Sequence, residues 1–92
     1  MSNKISILYV DDEPINLQVF QYTFEDKYEV ITSESGVEGI EILKSNQEIK
    51  FVISDMKMPI MNGIEFIKLA KQEFPFIRYY ILTGFDITEE IT

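Results

Sequence analysis

Three runs, ISILYV at 5–10, KFVIS at 50–54 and IRYYIL at 77–82, are short, rich in β-branched and aromatic residues and almost continuously apolar. A strand with one wet face alternates polar and apolar positions, so runs of this kind suit strands buried on both faces, as in a parallel sheet with helices above and below. A fourth run, YEVIT at 28–32, is shorter and more polar, as an outer strand would be. Helical spacing fills the gaps. Pro14 suits a first helical turn, and Leu17, Phe20 and Phe24, alongside Ile15, Val19 and Tyr22, form stripes after it. Val37, Ile40 and Leu43 share a face within 36–46, as do Ile64, Ile67 and Phe74 within 64–74. The order β-α-β-α-β-α-β predicts a doubly wound α/β fold with right-handed crossovers.

Ninety-two residues hold one domain, 1–92. A chain of this size buries only about 60 to 70% of its unfolded surface, so it has one core and little surplus stability. Its formal charge of −8, from 8 basic and 16 acidic residues, argues against nucleic-acid or anionic-membrane partners, which need clustered Lys and Arg. With no Cys and no His there is no disulfide, no thiolate or imidazole metal site, and no Ser-His or Cys-His pair. Any metal must be hard and held by oxygen. The N-terminal apolar run ends at Val10 against three acids, too short for a signal segment or a spanning helix, and a cytoplasmic protein is expected. The chain has no phosphate-binding glycine loop. At its C-terminus, Asp86 followed by Glu89 reads as a capping-box helix start within 86–92. One turn of helix does not hold itself together, so something removed, or a partner, is expected to complete it.

In a parallel α/β sheet, ligands bind beyond the carboxyl ends of the strands. Asp11 and Asp12 directly follow the first predicted strand, Asp55 the third and Thr83 the fourth. Shared position at strand ends, rather than spacing, predicts that they converge. Three carboxylates in one cleft repel each other unless protons or a cation relieve them. Mg²⁺, or the similar Mn²⁺, is the natural candidate, since it takes oxygen ligands and commonly uses one or two carboxylates with a phosphate oxygen. A metal-neutralised aspartate can then attack phosphorus, and Thr83, followed by the small Gly84, can donate a hydrogen bond to a phosphoryl oxygen. Each part has a plainer explanation. Acids before Pro14 suit a helix N-terminus, Asp55 alone reads as a turn or cap residue, and Met56, Met58 and Met61 read as core filler.

Taken together, these residues carry a resemblance. ILYVDDEPIN resembles the first strand and acidic pair of receiver domains of the bacterial two-component response regulators, VISDMKMPIMNG resembles their D-x-x-M-P-x-M-x-G phosphoacceptor signature, and YYILTG resembles the strand that ends in a switch Thr or Ser. The match runs from about Ile5 to Gly84. It implies a flavodoxin-like fold of strand order 2-1-3-4, ending after the fourth strand. Asp55 would be the phosphoacceptor, taking a phosphoryl group from a phosphohistidine on a histidine kinase or phosphotransfer protein. Asp11, Asp12, Asp55 and the backbone carbonyl of Lys57 would hold Mg²⁺, Thr83 would sense the phosphoryl group, and Pro59 and Gly63 would shape the loop. Such a domain is a substrate of kinases rather than an enzyme.

The chain departs from the family pattern at its end. The family continues with a fourth helix, a fifth strand ending in a phosphate-pairing Lys, and a fifth helix. Lysines here lie at 4, 27, 44, 50, 57, 68 and 71, all before Thr83. Without a fifth strand, 77–82 is expected to be an exposed apolar edge that templates pairing with another chain. Homodimerisation through it and the C-terminal segment follows, and a fragment of a longer regulator is the plainer reading. Two further readings are a phosphorylation-independent dimerisation or docking module, and a phosphatase with an aspartyl-phosphate intermediate. The last typically wants an acid two residues after the nucleophile, where this chain has Lys57.

Overall fold

A computed structural model describes residues 4–83 and 86–89, with Thr83 and 86–89 described by their backbone. The elements run β1 (Ile5–Val10), α1 (Pro14–Phe24), β2 (Tyr28–Ser33), α2 (Gly36–Ser45), β3 (Ile49–Asp55), α3 (Gly63–Glu73), β4 (Arg78–Thr83) and β5 (Asp86–Glu89). Strands β2-β1-β3-β4 lie side by side and parallel, in the order expected, and β5 adds a fifth, antiparallel strand beside β4.

Two apolar layers cover the sheet. On one side Leu8, Val10, Val52, Tyr79 and Ile81 pack with Leu43 of α2 and Phe66, Ile67 and Ala70 of α3. On the other, Ile7 and Tyr9 pack with Leu17 and Phe20 of α1, and Phe24, Tyr28, Phe51, Ile53 and Leu82 are only partly covered. Helices on both faces make the fold doubly wound. Met58 is buried in the first layer and Met56 and Met61 pack against it, so the methionines are core filler there. Only one stripe of α1 faces the sheet: Ile15, Val19 and Tyr22, also at helical spacing, are exposed. Val37 is exposed as well.

Local chemistry sets the helix starts. Pro14 occupies the first turn of α1, where its missing N–H costs nothing. Ser35 caps α2 by accepting from the Glu38 amide at 3.1 Å. Asn62 and Glu65 form a reciprocal capping box on α3, with both bonds at 2.9 Å.

The C-terminal segment differs from the helix start expected of it. Residues Asp86–Glu89 form β5, with Tyr80 opposite Glu89, Ile81 opposite Thr88, Leu82 opposite Ile87 and Thr83 opposite Asp86. The N–H and C=O groups along the outer side of β4 offer these residues a ladder of backbone hydrogen bonds, which prevails over the local helix-start signal. The expectation that 77–82 is a bare edge is corrected too. The strand begins at Arg78, and its outer side is paired from Tyr80 onward. Among the described residues, no helix is long and apolar enough to cross a membrane.

Candidate functional site

The parallel register brings the acids together. Val10 stands beside Ser54 and also beside Ser33, so the residues that follow, Asp11 just past β1 and Asp55 at the end of β3, sit side by side at the carboxyl edge. Asp55 is the last residue of β3, paired with Leu82, and not the first residue beyond the strand. Carboxylate oxygens of Asp11, Asp12 and Asp55 lie within 4.8 Å of one another. Thr83 follows Leu82 at the end of β4, so its backbone reaches the same edge. The role expected of its hydroxyl, and that of Gly84, lie outside the described residues.

Asp11 is 1% exposed, and three donors hold it. The Tyr9 hydroxyl donates to Oδ2 at 2.7 Å, Asn16 Nδ2 donates to the same oxygen at 3.2 Å, and the Glu13 amide donates to Oδ1 at 3.0 Å. Its own amide donates to the Ser33 carbonyl at 3.0 Å, which extends the β1–β2 ladder into the site. Burial, with the Asp11 hydrogen bond and charge, pushes the Tyr9 phenol far above its usual range, so it remains a donor. Asp12 and Asp55 are partly exposed and open onto a cleft of about 470 Å³ that they share with Glu13, Asn16, Met56, Lys57 and Leu82.

Desolvation raises the Asp55 carboxyl above its ordinary value of 3.8, with further upward pressure from the Asp11, Asp12 and Glu13 charges and relief from the Met56 amide. The influences on Asp55 are thus mostly like charges and burial. A hard divalent cation suits this donor set, because it offers anionic oxygen alone and gains from cancelling the repulsion.

The loop after Asp55 is tightly determined. The Gly63 amide donates to the Met56 carbonyl at 2.9 Å, and a Cβ on Gly63 would collide with the Asp55 carbonyl. Only glycine lets α3 start this close to the strand end. Between them, the Met61 amide donates to the Pro59 carbonyl at 2.7 Å around Ile60, whose φ is 71°. That is a γ-turn of the rare positive-φ kind, and its side chain is fully exposed. Lys57 is exposed on the cleft wall.

Sequence reasoning missed Tyr9 and Asn16 as parts of this site. The signal was available for Tyr9, since residues two apart on a strand face the same way and a buried tyrosine hydroxyl needs a partner. Asn16 is brought back to Asp11 by the first turn of α1, which follows the acids directly.

Residues 7–92 match the sequence pattern of the response regulator receiver domain family. Among curated proteins, the chain is 29% identical over 92 residues to the hydrogenase transcriptional regulatory protein HoxA of Cupriavidus necator, covering 99% of this chain and 19% of that protein. It is 32% identical over 71 residues to a chemotaxis protein CheY homolog of Campylobacter jejuni, covering 75% of this chain and 55% of the relative. Among solved structures, a response regulator receiver domain protein from Clostridium thermocellum superimposes with a TM-score of 0.81 at 39% identity, over 87% of this chain and 65% of that one. The chain therefore spans less than two thirds of these relatives.

Proposed function

Because this chain belongs to the response regulator receiver domain family, we propose that it is the phosphoacceptor module of a two-component relay, with Asp55 as the residue that carries the phosphoryl group. The observation that carries this reading is the placing of the Asp55 carboxylate at the open carboxyl edge of the sheet, within reach of Asp11 and Asp12. An Asp55 oxygen attacks the phosphorus of a phosphohistidine on a kinase or phosphotransfer protein. The new O–P bond forms as the P–N bond breaks, and the imidazole nitrogen leaves with the electron pair and takes up a proton. Asp11, Asp12, Asp55 and the Lys57 carbonyl are the proposed ligands of Mg²⁺ or Mn²⁺. The bound cation supplies charge neutralisation to the carboxylates and to the phosphoryl oxygens. Thr83 is the proposed donor to a phosphoryl oxygen after transfer.

The module acts through protein contacts rather than turnover. Ile15, Val19 and Tyr22 support that reading, since they form an exposed apolar stripe along α1, the helix that starts beside the cleft. A cytoplasmic location is the natural compartment for such a partner. The absence of clustered basic residues from the −8 chain supports protein rather than nucleic-acid or membrane partners. Incubation with a small phosphodonor and Mg²⁺, followed by intact-mass measurement, should add one phosphoryl group that Asp55→Ala abolishes. Failure to label under conditions that label other receivers defeats the proposal.

A second reading keeps the acidic cleft and rests on the exposed apolar stripe of Ile15, Val19 and Tyr22 alone. The fold then serves as a dimerisation or docking module that does not depend on phosphorylation. Pairing of β5 with β4 moves the proposed self-association surface to the outer side of β5. Under this reading Asp55→Ala leaves oligomeric state, measured by light scattering, and partner binding unchanged.

A further inference from the structure

Tyr9 stands among the aliphatic Ile7, Leu8 and Val10, and nothing in phosphoryl acceptance requires a phenol at that position. The ring is 2% exposed and stacks on Phe20, with centroids 4.1 Å apart and planes at 14°. Phe20 in turn packs on Phe24 at 4.7 Å. The hydroxyl at the end of this stack makes the shortest bond that Asp11 accepts, 2.7 Å to Oδ2.

Counting lone pairs gives the bond a consequence. A carboxylate oxygen accepts about two hydrogen bonds. Oδ2 of Asp11 takes both Tyr9 and Asn16, whereas Oδ1 takes the Glu13 amide alone. Oδ1 is therefore the oxygen with acceptor capacity to spare. A tyrosine held by a ring stack also restrains the carboxylate plane more firmly than Asn16, which shares its amide between Asp11 and Glu13 Oε2, each at 3.2 Å.

We propose that Tyr9 is a positioning residue for the cation: its hydroxyl, aimed by the Phe20 stack, occupies Asp11 Oδ2 and leaves Oδ1 to face the metal. This rests on the reading of the cleft as a divalent-metal site. Residues that orient a metal ligand from behind commonly carry about 10- to 100-fold in metal affinity. The plainer role, satisfying a buried carboxylate, predicts a loss of stability with metal affinity intact.

Tyr79 separates the two roles. It is 1% exposed and its hydroxyl donates to the Phe74 carbonyl at 2.9 Å, a part-buried bond between β4 and the end of α3. Isothermal titration with Mg²⁺ is run on the full chain, on Tyr9→Phe and on Tyr79→Phe, with urea denaturation of each. Tyr9→Phe should weaken Mg²⁺ binding about 10-fold or more, while Tyr79→Phe stays within about twofold of the parent, although both lower the denaturation midpoint. Unchanged affinity in Tyr9→Phe overturns the inference and leaves the metal reading intact. No Mg²⁺ binding by the parent chain overturns both. Should Tyr9→Phe not fold, near-ultraviolet circular dichroism of the parent decides: Mg²⁺ should perturb the tyrosine signal, and should still do so in Tyr79→Phe. A signal unmoved by saturating Mg²⁺ counts against Tyr9.

Discussion

The two faces of the sheet are built to different standards. Under α2 and α3, Leu8, Val10, Leu43, Val52, Phe66, Ile67 and Ala70 are wholly buried. Under α1, Ile7, Tyr9, Leu17 and Phe20 are the buried apolar residues among those described, and an open cavity of about 250 Å³ runs among Ile7, Phe20, Phe24, Tyr28, Phe51, Ile53 and Tyr80. Among the described residues, the first face has two helices and the second has one. The difference teaches that the two faces of one sheet can be sealed to different degrees. The closed face fixes the strands, while the open face carries Tyr9 and the helix that reaches back to Asp11.

The sharpest way to break this comparison is a matched pair of truncations. Phe66→Ala removes a ring that touches no water and should cost about 3–5 kcal/mol, the usual range for a buried aromatic. Phe51→Ala removes a ring of equal size from the rim of the open cavity and should cost less than half as much, because solvent already reaches the space and no sealed void forms. Urea denaturation checks both. Equal losses would show that the open face is as tightly packed as the closed one.

Gly63→Ala tests where the closed face meets the site. The added Cβ meets the Asp55 carbonyl and the Ile81 side chain, which is 3.1 Å away, and relief requires α3 to back away from β3. A loss of about 1–3 kcal/mol is expected, as for other overpacked positions, with Mg²⁺ affinity falling alongside. A fall in stability with intact metal binding would uncouple the loop from the acidic cleft.

The third test concerns charge in the acidic cleft. In the metal-free fold the Asp55 pKa lies above its ordinary 3.8, so between the two values the folded state binds more protons than the unfolded state. By linkage, this group opposes folding at neutral pH, and the penalty is relieved as pH falls through the folded pKa towards 3.8. Asp55→Asn, with a chelator present, should therefore be more stable than the parent at neutral pH. The advantage should shrink on acidification, as followed by thermal melts across pH. An advantage that does not vary with pH would show that the carboxylate charge is not its source.

Most of this architecture was legible because its determinants are local. Doubly apolar runs announced a parallel sheet, and strand ends announced where Asp11, Asp12 and Asp55 would meet. Two features were not. Ile15, Val19 and Tyr22 have the same period as Leu17, Phe20 and Phe24, and periodicity alone does not say which stripe meets the sheet. That choice is made by the path of the chain out of β1, where Asp11 holds the first turn of α1 through Asn16 and Glu13. The pair Asp86 and Glu89 satisfies the local grammar of a helix start, yet the open edge of β4 outweighs it. A non-local ladder is invisible to a reading of seven residues.

The smallest effect belongs to the loop after Asp55. Ile60 holds φ at 71° with its side chain fully in solvent, so it bears left-handed strain without any packing in return. For an L-residue that conformation costs about 1–2 kcal/mol. Glycine adopts it freely but loses about 0.5–1 kcal/mol more backbone entropy on folding. The net gain expected of Ile60→Gly is therefore about 0–1.5 kcal/mol, read as a raised urea midpoint with Mg²⁺ affinity unchanged. A β-branched residue is an expensive occupant of an exposed γ-turn. If the glycine variant is more stable and is still labelled at Asp55 by a small phosphodonor, but accepts phosphate less well from a phosphohistidine protein, the exposed Ile60 side chain serves contact with that partner and not the fold. Equal labelling by both donors would leave the strain without a function at the site.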